Sequence, residues 1–197
     1  MPDAPVLVTD RLRLRLLEER DLSLFAERAD RPEVYATTLR MPRPYTVEDA
    51  RQFMLVQHAA WDSQTGFVTV VCLRESDEPI GSVGIEINRP MDKAELGYWI
   101  AVEFWGRGFA TEASAAIMAY GFERLGLHRI GACHFVGNEA SATVMKKLGM
   151  AYEGTHRQSI KKDGGYRDDV VYAVLRSDFK PSVSWAVENE KGTESCR

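Results

Sequence analysis

The chain reads as an α+β fold built on a largely antiparallel central sheet. Three observations predict this class. Short stretches alternate apolar with polar residues, as half-buried strands do. Few segments carry apolar residues at helical spacing, and they do not alternate regularly with the strands. The middle strands are joined by short polar turns at 75–79 and 88–92, which suit hairpins.

The elements follow in order. Leu12, Leu14 and Leu16 alternate with Arg11, Arg13 and Arg15, a strand with one apolar face. Residues 21–29 form a short helix that stops before Pro32, because the residue preceding proline is pushed out of the helical region. The span 30–45 carries Pro32, Pro42 and Pro44 and is expected to be a loop with at most a turn of helix. Thr46 is an N-cap with Asp49 three residues on, and a helix continues to about Gln64. Strands are expected at 67–73, 80–87 and 94–102. An alanine-rich helix spans 111–125, with Gly126 as its C-cap. A strand at 129–135, a helix at 139–148 closed by Gly149, and strands at 150–160 and 166–175 complete the pattern. Residues 1–179 are expected to form a single domain, and 180–197 a polar, frayed tail.

Composition excludes several functions. The 197 residues carry 25 basic and 29 acidic side chains, a formal net charge of −4, which argues against direct nucleic-acid binding. Cys72, Cys133 and Cys196 are too few and too scattered for a disulfide framework or a zinc site, and they suit a reducing cytoplasm. Neither a signal peptide nor a membrane span is expected. The histidines show no i,i+4 pairing, so no metal is expected. The local run of His156, Arg157, Lys161, Lys162 and Arg167 is either a solvated hairpin or a contact for an acidic partner.

The segment 94–113 carries the most chemistry. A strand leads through Trp105-Gly106-Arg107-Gly108-Phe109-Ala110-Thr111 into a helix. Gly106 and Gly108 let backbone N–H groups converge, and the helix start adds unpaired N–H groups with partial positive charge. Together with Arg107 they make a nest for a pyrophosphate. An ordinary strand–helix connection uses glycines too. The loop lacks the Lys-Ser/Thr of a P-loop and the third glycine of the dinucleotide fingerprint. One strand–helix unit later, Asn138 and Ser141 flank a helix start, either as caps or as cofactor contacts.

Taken together these motifs make the chain similar to the GNAT superfamily of N-acetyltransferases, in the branch of the ribosomal-protein N-terminal acetyltransferases. The resemblance runs from about Leu7 to Asp178. It includes Thr9-Asp10-Arg11, Gly97-Tyr98-Trp99, the 105–113 loop, Asn138-x-x-Ser141, Lys147-Leu148-Gly149-Met150, Glu153-Gly154 and Gly165-Tyr166-Arg167-Asp168.

It implies a mixed sheet of about seven strands with about four helices, and a V-shaped splay between two parallel strands that receives acetyl-CoA. It implies that Trp105, Gly106, Arg107, Gly108, Phe109, Ala110 and Thr111 hold the pyrophosphate, and that Ile100 and Val102 offer backbone groups to the pantetheine. Asn138 and Ser141 match positions that line the cofactor. Trp105 stands where the family often has Gln or Arg, which removes one side-chain contact.

The reaction so implied is attack of a primary amine on the thioester. Glu95 is the candidate base, and a simple hairpin would set Glu86 opposite it, so that like charge raises a carboxyl pKa. Met145 replaces the tyrosine that many GNATs use as acid, and the branch pattern offers Ser141 in that role. A carboxylate found in part of the branch is replaced by Ser159-Ile160. The acceptor is expected against the loops 30–45 and 161–166, where Glu33, Glu48 and Asp49 are available to an ammonium group. The acceptor is a protein N-terminus or a small amine such as an amino acid, polyamine or drug. An inactive acyl-CoA-binding module is a third reading. A cytoplasmic monomer or homodimer is expected.

Overall fold

The computed structural model describes residues 4–189 and 192–196. The strands are β1 (Val6–Val8), β2 (Leu12–Arg15), β3 (Gly66–Leu73), β4 (Pro79–Asn88), β5 (Lys93–Ile100), β6 (Arg129–Phe135), β7 (Ala151–Lys162), β8 (Gly165–Leu175), β9 (Trp185–Asn189) and β10 (Gly192–Cys196). The helices are α1 (Leu22–Ala29), α2 (Pro32–Thr37), α3 (Val47–Asp62), α4 (Phe109–Glu123) and α5 (Glu139–Lys147). All strands join one sheet in the order β10-β9-β1-β2-β3-β4-β5-β6-β8-β7. Each neighbouring pair is antiparallel except β5 and β6. This is the mixed α+β, largely antiparallel architecture that the alternating pattern predicts.

Alternation sends side chains to two cores. Leu12, Leu14, Phe67, Ile85, Leu96 and Ile130 pack with α4 and α5 on one face. Val70, Cys72, Trp99 and Ala101 pack with Leu22, Phe25 and Val34 on the other. Helix α4 is buried along nearly its whole length, which explains its alanines: Ala113, Ala115, Ala116 and Ala119 bring its backbone close to the sheet. At Gly121 a Cβ would meet Ile85, Ile130 and Leu127 at 3.1–3.2 Å. Thr46 caps α3 as expected: the Asp49 N–H donates to Thr46 Oγ1 at 3.2 Å, and the Thr46 N–H donates to Asp49 Oδ2 at 2.8 Å.

Four expectations need correction. The sheet has ten strands, three more than the sequence pattern suggests. β1 is too short to show an alternation, and β9 and β10 lie in the stretch read as a frayed tail. β9 pairs with β1 and buries Trp185 against Tyr120, so sheet pairing overrides its polar composition; Glu190, Lys191 and Arg197 lie outside the described residues. Pro32 opens α2 as its first residue, where a missing N–H is harmless, instead of merely ending α1. Arg15 is buried, because Asp21 takes it bidentately at 2.6 and 2.9 Å and Asp77 adds a bond at 3.1 Å. Among the described residues, no helix is long and apolar enough to cross a membrane.

Candidate active site

The parallel pair β5–β6 is joined only at its start, from Lys93↔Arg129 to Leu96↔Ala132. β5 runs on to Ile100 and β6 to Phe135 without further pairing, so a V opens between them. The open edge of β5 carries unpaired backbone groups. The Ala101 N–H donates to Ile80 O on the β4 side at 2.8 Å. Successive residues of an extended chain face opposite edges, so Ile100, the last residue of β5, turns its N–H toward the V, and Val102 follows in the 3-10 turn 102–104. The Ile100 carbonyl on that edge already accepts the Trp105 indole N–H at 2.6 Å. Trp105 therefore ties the loop to the end of β5.

The loop continues into an anion cradle. Gly106 and Gly108 have φ of 73° and 82°, a region that side chains disfavour, and open space lies where a Gly106 Cβ would stand. Gly108 caps α4 with no side-chain hydrogen bond, so the N–H groups of the first turn at Phe109, Ala110 and Thr111 keep the partial charge of a helix N-terminus. Arg107 and Arg11 lie over the Phe109 ring at 5.0 and 4.5 Å. Buried Glu112 anchors this corner. It accepts from Thr9 Oγ1 at 2.6 Å, from the Arg11 N–H at 3.1 Å and from Arg11 Nε at 2.7 Å, while Arg11 Nη1 donates to the Arg107 carbonyl at 3.0 Å. The opening Thr9–Arg11 segment and the glycine loop are thus one structure, 100 residues apart in sequence.

Across the V stands the start of α5. The Ser141 N–H donates to Asn138 Oδ1 at 3.2 Å, an N-cap. The Ser141 hydroxyl lies 2.7 Å from the Tyr98 hydroxyl on β5. Burial pushes the Tyr98 phenol up to about 12, so it is a neutral donor. Sequence reasoning passed over Tyr98 as a proton-handling group; a hydroxyl pair across the V is invisible until the two elements are placed together.

The other sheet face holds the carboxylates. Glu86 and Glu95 are paired across β4 and β5, as the hairpin reading predicts. Glu86, however, is engaged with Arg40 through both carboxylate oxygens. The Glu95 pKa is raised chiefly by desolvation; Arg129 and Lys93 oppose this, while Asp169 and Glu153 add to it. Glu95 leans over Gly131, where a Cβ would stand 2.7 Å from its Oε1. Gly131 is the residue that leaves room for this carboxylate.

Two loops close over this face. The Tyr35 hydroxyl donates to Asp163, and Lys162 donates to the carbonyls of Tyr35 and Thr38. Lys162 is buried, whereas the rest of this half of the basic hairpin, Lys161 to Tyr166, is exposed, with Arg167 bonded to Asp163 at 3.3 Å. Glu48 and Asp49 are taken up on α3 itself, by Arg51, Gln52 and the Thr46 cap. Glu33 sits 3.7 Å from Arg31. By the strand pairings, Glu86 and Asp169 share the Glu95 face of the sheet.

Comparison with known proteins decides the family. The model of the acetyltransferase (GNAT) domain matches residues 11–151. The chain belongs to the GNAT acetyltransferase family. It is 32% identical over 173 residues to the uncharacterized N-acetyltransferase YoaA of Bacillus subtilis, covering 87% of this chain and 97% of that one. It is 26% identical over 188 residues to the ribosomal protein uS5-alanine N-acetyltransferase of Escherichia coli, covering 89% of this chain and 93% of that one. Among solved structures it is similar to Mycobacterium smegmatis RimJ in complex with CoA-disulfide, with a TM-score of 0.76 and 25% identity over 87% of this chain and 86% of that one.

The chain is thus a GNAT N-acetyltransferase with relatives that acetylate ribosomal protein. Its residues suit coenzyme A: open space lies at Gly106, Arg11 Nη2 stands beside Gly108, and β5 and β6 stop pairing next to this cradle.

Proposed function

We propose that this GNAT enzyme transfers the acetyl group of acetyl-CoA to a primary amine, and that the acceptor is a protein N-terminal α-amine. The observation that supports the reading best is the V between β5 and β6, flanked by an anion cradle at one end and a raised-pKa carboxylate at the other. The relative that acetylates the alanine of ribosomal protein uS5 favours the protein N-terminus over a small amine.

Acetyl-CoA supplies the thioester as acyl donor. The cradle N–H groups of Gly106 to Thr111 and the charge of Arg107 hold its phosphates. The Ile100 and Val102 N–H groups face the pantetheine, and one polarises the thioester carbonyl as charge develops on oxygen. Asn138 fixes the start of α5 so that Ser141 faces the V. Ser141, with Tyr98 behind it, delivers a proton to the departing thiolate, whose free thiol has a pKa of about 8.5. Glu95 removes the proton of the amine. A free α-amine with pKa of about 8 is mostly charged at neutral pH, and a carboxylate of raised pKa is a better matched base than an ordinary one.

The test is thermal unfolding with acetyl-CoA, CoA, ATP and NADPH side by side. A ligand at ~100 times its Kd adds about 2.7 kcal/mol. Stabilisation by the first two alone supports the reading, and turnover on N-terminal peptides against small amines then assigns the acceptor. No stabilisation by acetyl-CoA removes it.

A further inference from the structure

The face of β6 and β8 beside Glu95 carries a carboxylate that the mechanism above does not use. Asp169 on β8 is paired with Phe135 on β6, and Val171 with Cys133. Glu95 is paired with Gly131. Paired residues share a face, and residues two apart along a strand share it too. Glu95, Gly131, Cys133, Phe135 and Asp169 therefore form one strip, running from the paired root of the V outward.

Asp169 is the anomaly in that strip. It is only 7% exposed, and its Oδ1 has no hydrogen-bond partner. Its side chain sits against the Cys133 thiol, and its charge reaches Glu95. A buried carboxylate oxygen without a donor costs stability. That cost is recovered when a cationic donor arrives. Cys133 touches it and is itself exposed, so the strip meets solvent beside Asp169. The second carboxylate expected near Ser159-Ile160 on β7 is missing, and Asp169 stands on the adjacent strand, paired with His156.

We propose that Asp169 binds the ammonium group of the acceptor, holding it in the strip beside Glu95, and that the acceptor is an amine whose ammonium is its only cationic group at that end. The second half follows from the surrounding cations. Lys162 Nζ lies 5.7 Å and the Arg167 guanidinium 5.3 Å from the centre of the Phe135 ring, which faces Asp169. Arg40 stands at the Glu86 end and acts electrostatically on Cys133. One ammonium finds Glu95 and Asp169 in the strip; the acidic groups beyond them, Glu86 and Asp163, are already engaged by Arg40 and Arg167 and offer a second cation no free partner there. A peptide N-terminus fits this pattern and a polyamine does not.

The inference rests on the acetyltransferase reading, and the experiment separates the two. Steady-state kinetics with acetyl-CoA compare an Ala-initiated peptide of neutral sequence, the Nα-blocked lysine peptide and spermidine, on the wild type and on Asp169→Asn and Asp169→Glu. The expected result is a KM for the Ala-initiated peptide about 10-fold or more higher in Asp169→Asn. The KM for acetyl-CoA should stay unchanged, Asp169→Glu should recover part of the loss, and spermidine should be a poor substrate throughout. An unchanged peptide KM in Asp169→Asn overturns the ammonium site, and efficient acetylation of spermidine overturns the acceptor class, with the acetyltransferase reading intact in both cases. No turnover of any amine by a wild type that binds acetyl-CoA overturns that reading itself. Calorimetry on the wild type with CoA bound covers the case in which Asp169→Asn does not fold. The Ala-initiated peptide should bind about 10-fold tighter than the same peptide with hydrogen in place of its amine, and equal affinity overturns the proposal.

Discussion

The two ends of the V are built from different materials. The cofactor end is backbone: glycine conformations, the N–H groups of one helix start and the edge of one strand, nearly all within 100–111. The acceptor end is side chains, drawn from β4, β5, β6 and β8 and closed by two distant loops. On the proposed function, backbone donors serve any acyl-CoA, whereas side chains set which amine arrives. The first end is therefore robust to most substitutions and sensitive to glycine loss, and the second has the opposite character.

The sharpest test of that division is Glu95→Gln. It should lower kcat by about 10²–10⁴-fold, the range of general acid–base catalysis, while acetyl-CoA still stabilises the protein against heat. Loss of that stabilisation would show that the two ends are not separable. The pH dependence carries a sign. Because desolvation raises the Glu95 pKa, the base is protonated and inactive at low pH. Activity should fall as pH drops through a value above the ordinary carboxylate range, and the acid limb attributable to Glu95 should vanish in Glu95→Gln.

At the cofactor end the corresponding change is Gly108→Val. A β-branched residue at φ of 82° cannot keep this cap geometry, so Kd for acetyl-CoA should rise by about 100-fold in isothermal titration. Gly131→Ala bridges the two ends, because its Cβ would stand 2.7 Å from the Glu95 carboxylate. The flexible carboxylate should move aside, with a drop in kcat of about 10-fold and an unchanged circular dichroism spectrum. The smallest effect belongs to Trp105→Phe. It deletes one hydrogen bond to the Ile100 carbonyl, worth about 1 kcal/mol, so cofactor affinity should weaken about 5-fold by the same titration.

How legible each end was follows from how it is built. The Gly106–Gly108 cradle, the Asn138 cap and the Glu86–Glu95 pairing are local or follow from one hairpin, so spacing in the sequence contains them. Tyr98 with Ser141, Arg11 with Glu112, and Asp169 with Cys133 join residues 36 to 101 positions apart, and no local pattern encodes them. Arg15 keeps the alternation with leucines and is buried by a near partner, Asp21, together with Asp77 from the β3–β4 turn.

The sequence by itself determined the fold class and the glycine turn at Gly106–Gly108, because alternation, capping and glycine placement act over a few residues; the splayed parallel strands entered through the family resemblance. Only the tertiary structure decided which carboxylates share the Glu95 face, why the Glu95 pKa rises, and that residues 185–189 form a sheet strand. Burial and charge are properties of what surrounds a group, and that is fixed only when distant segments of the chain come to rest against one another.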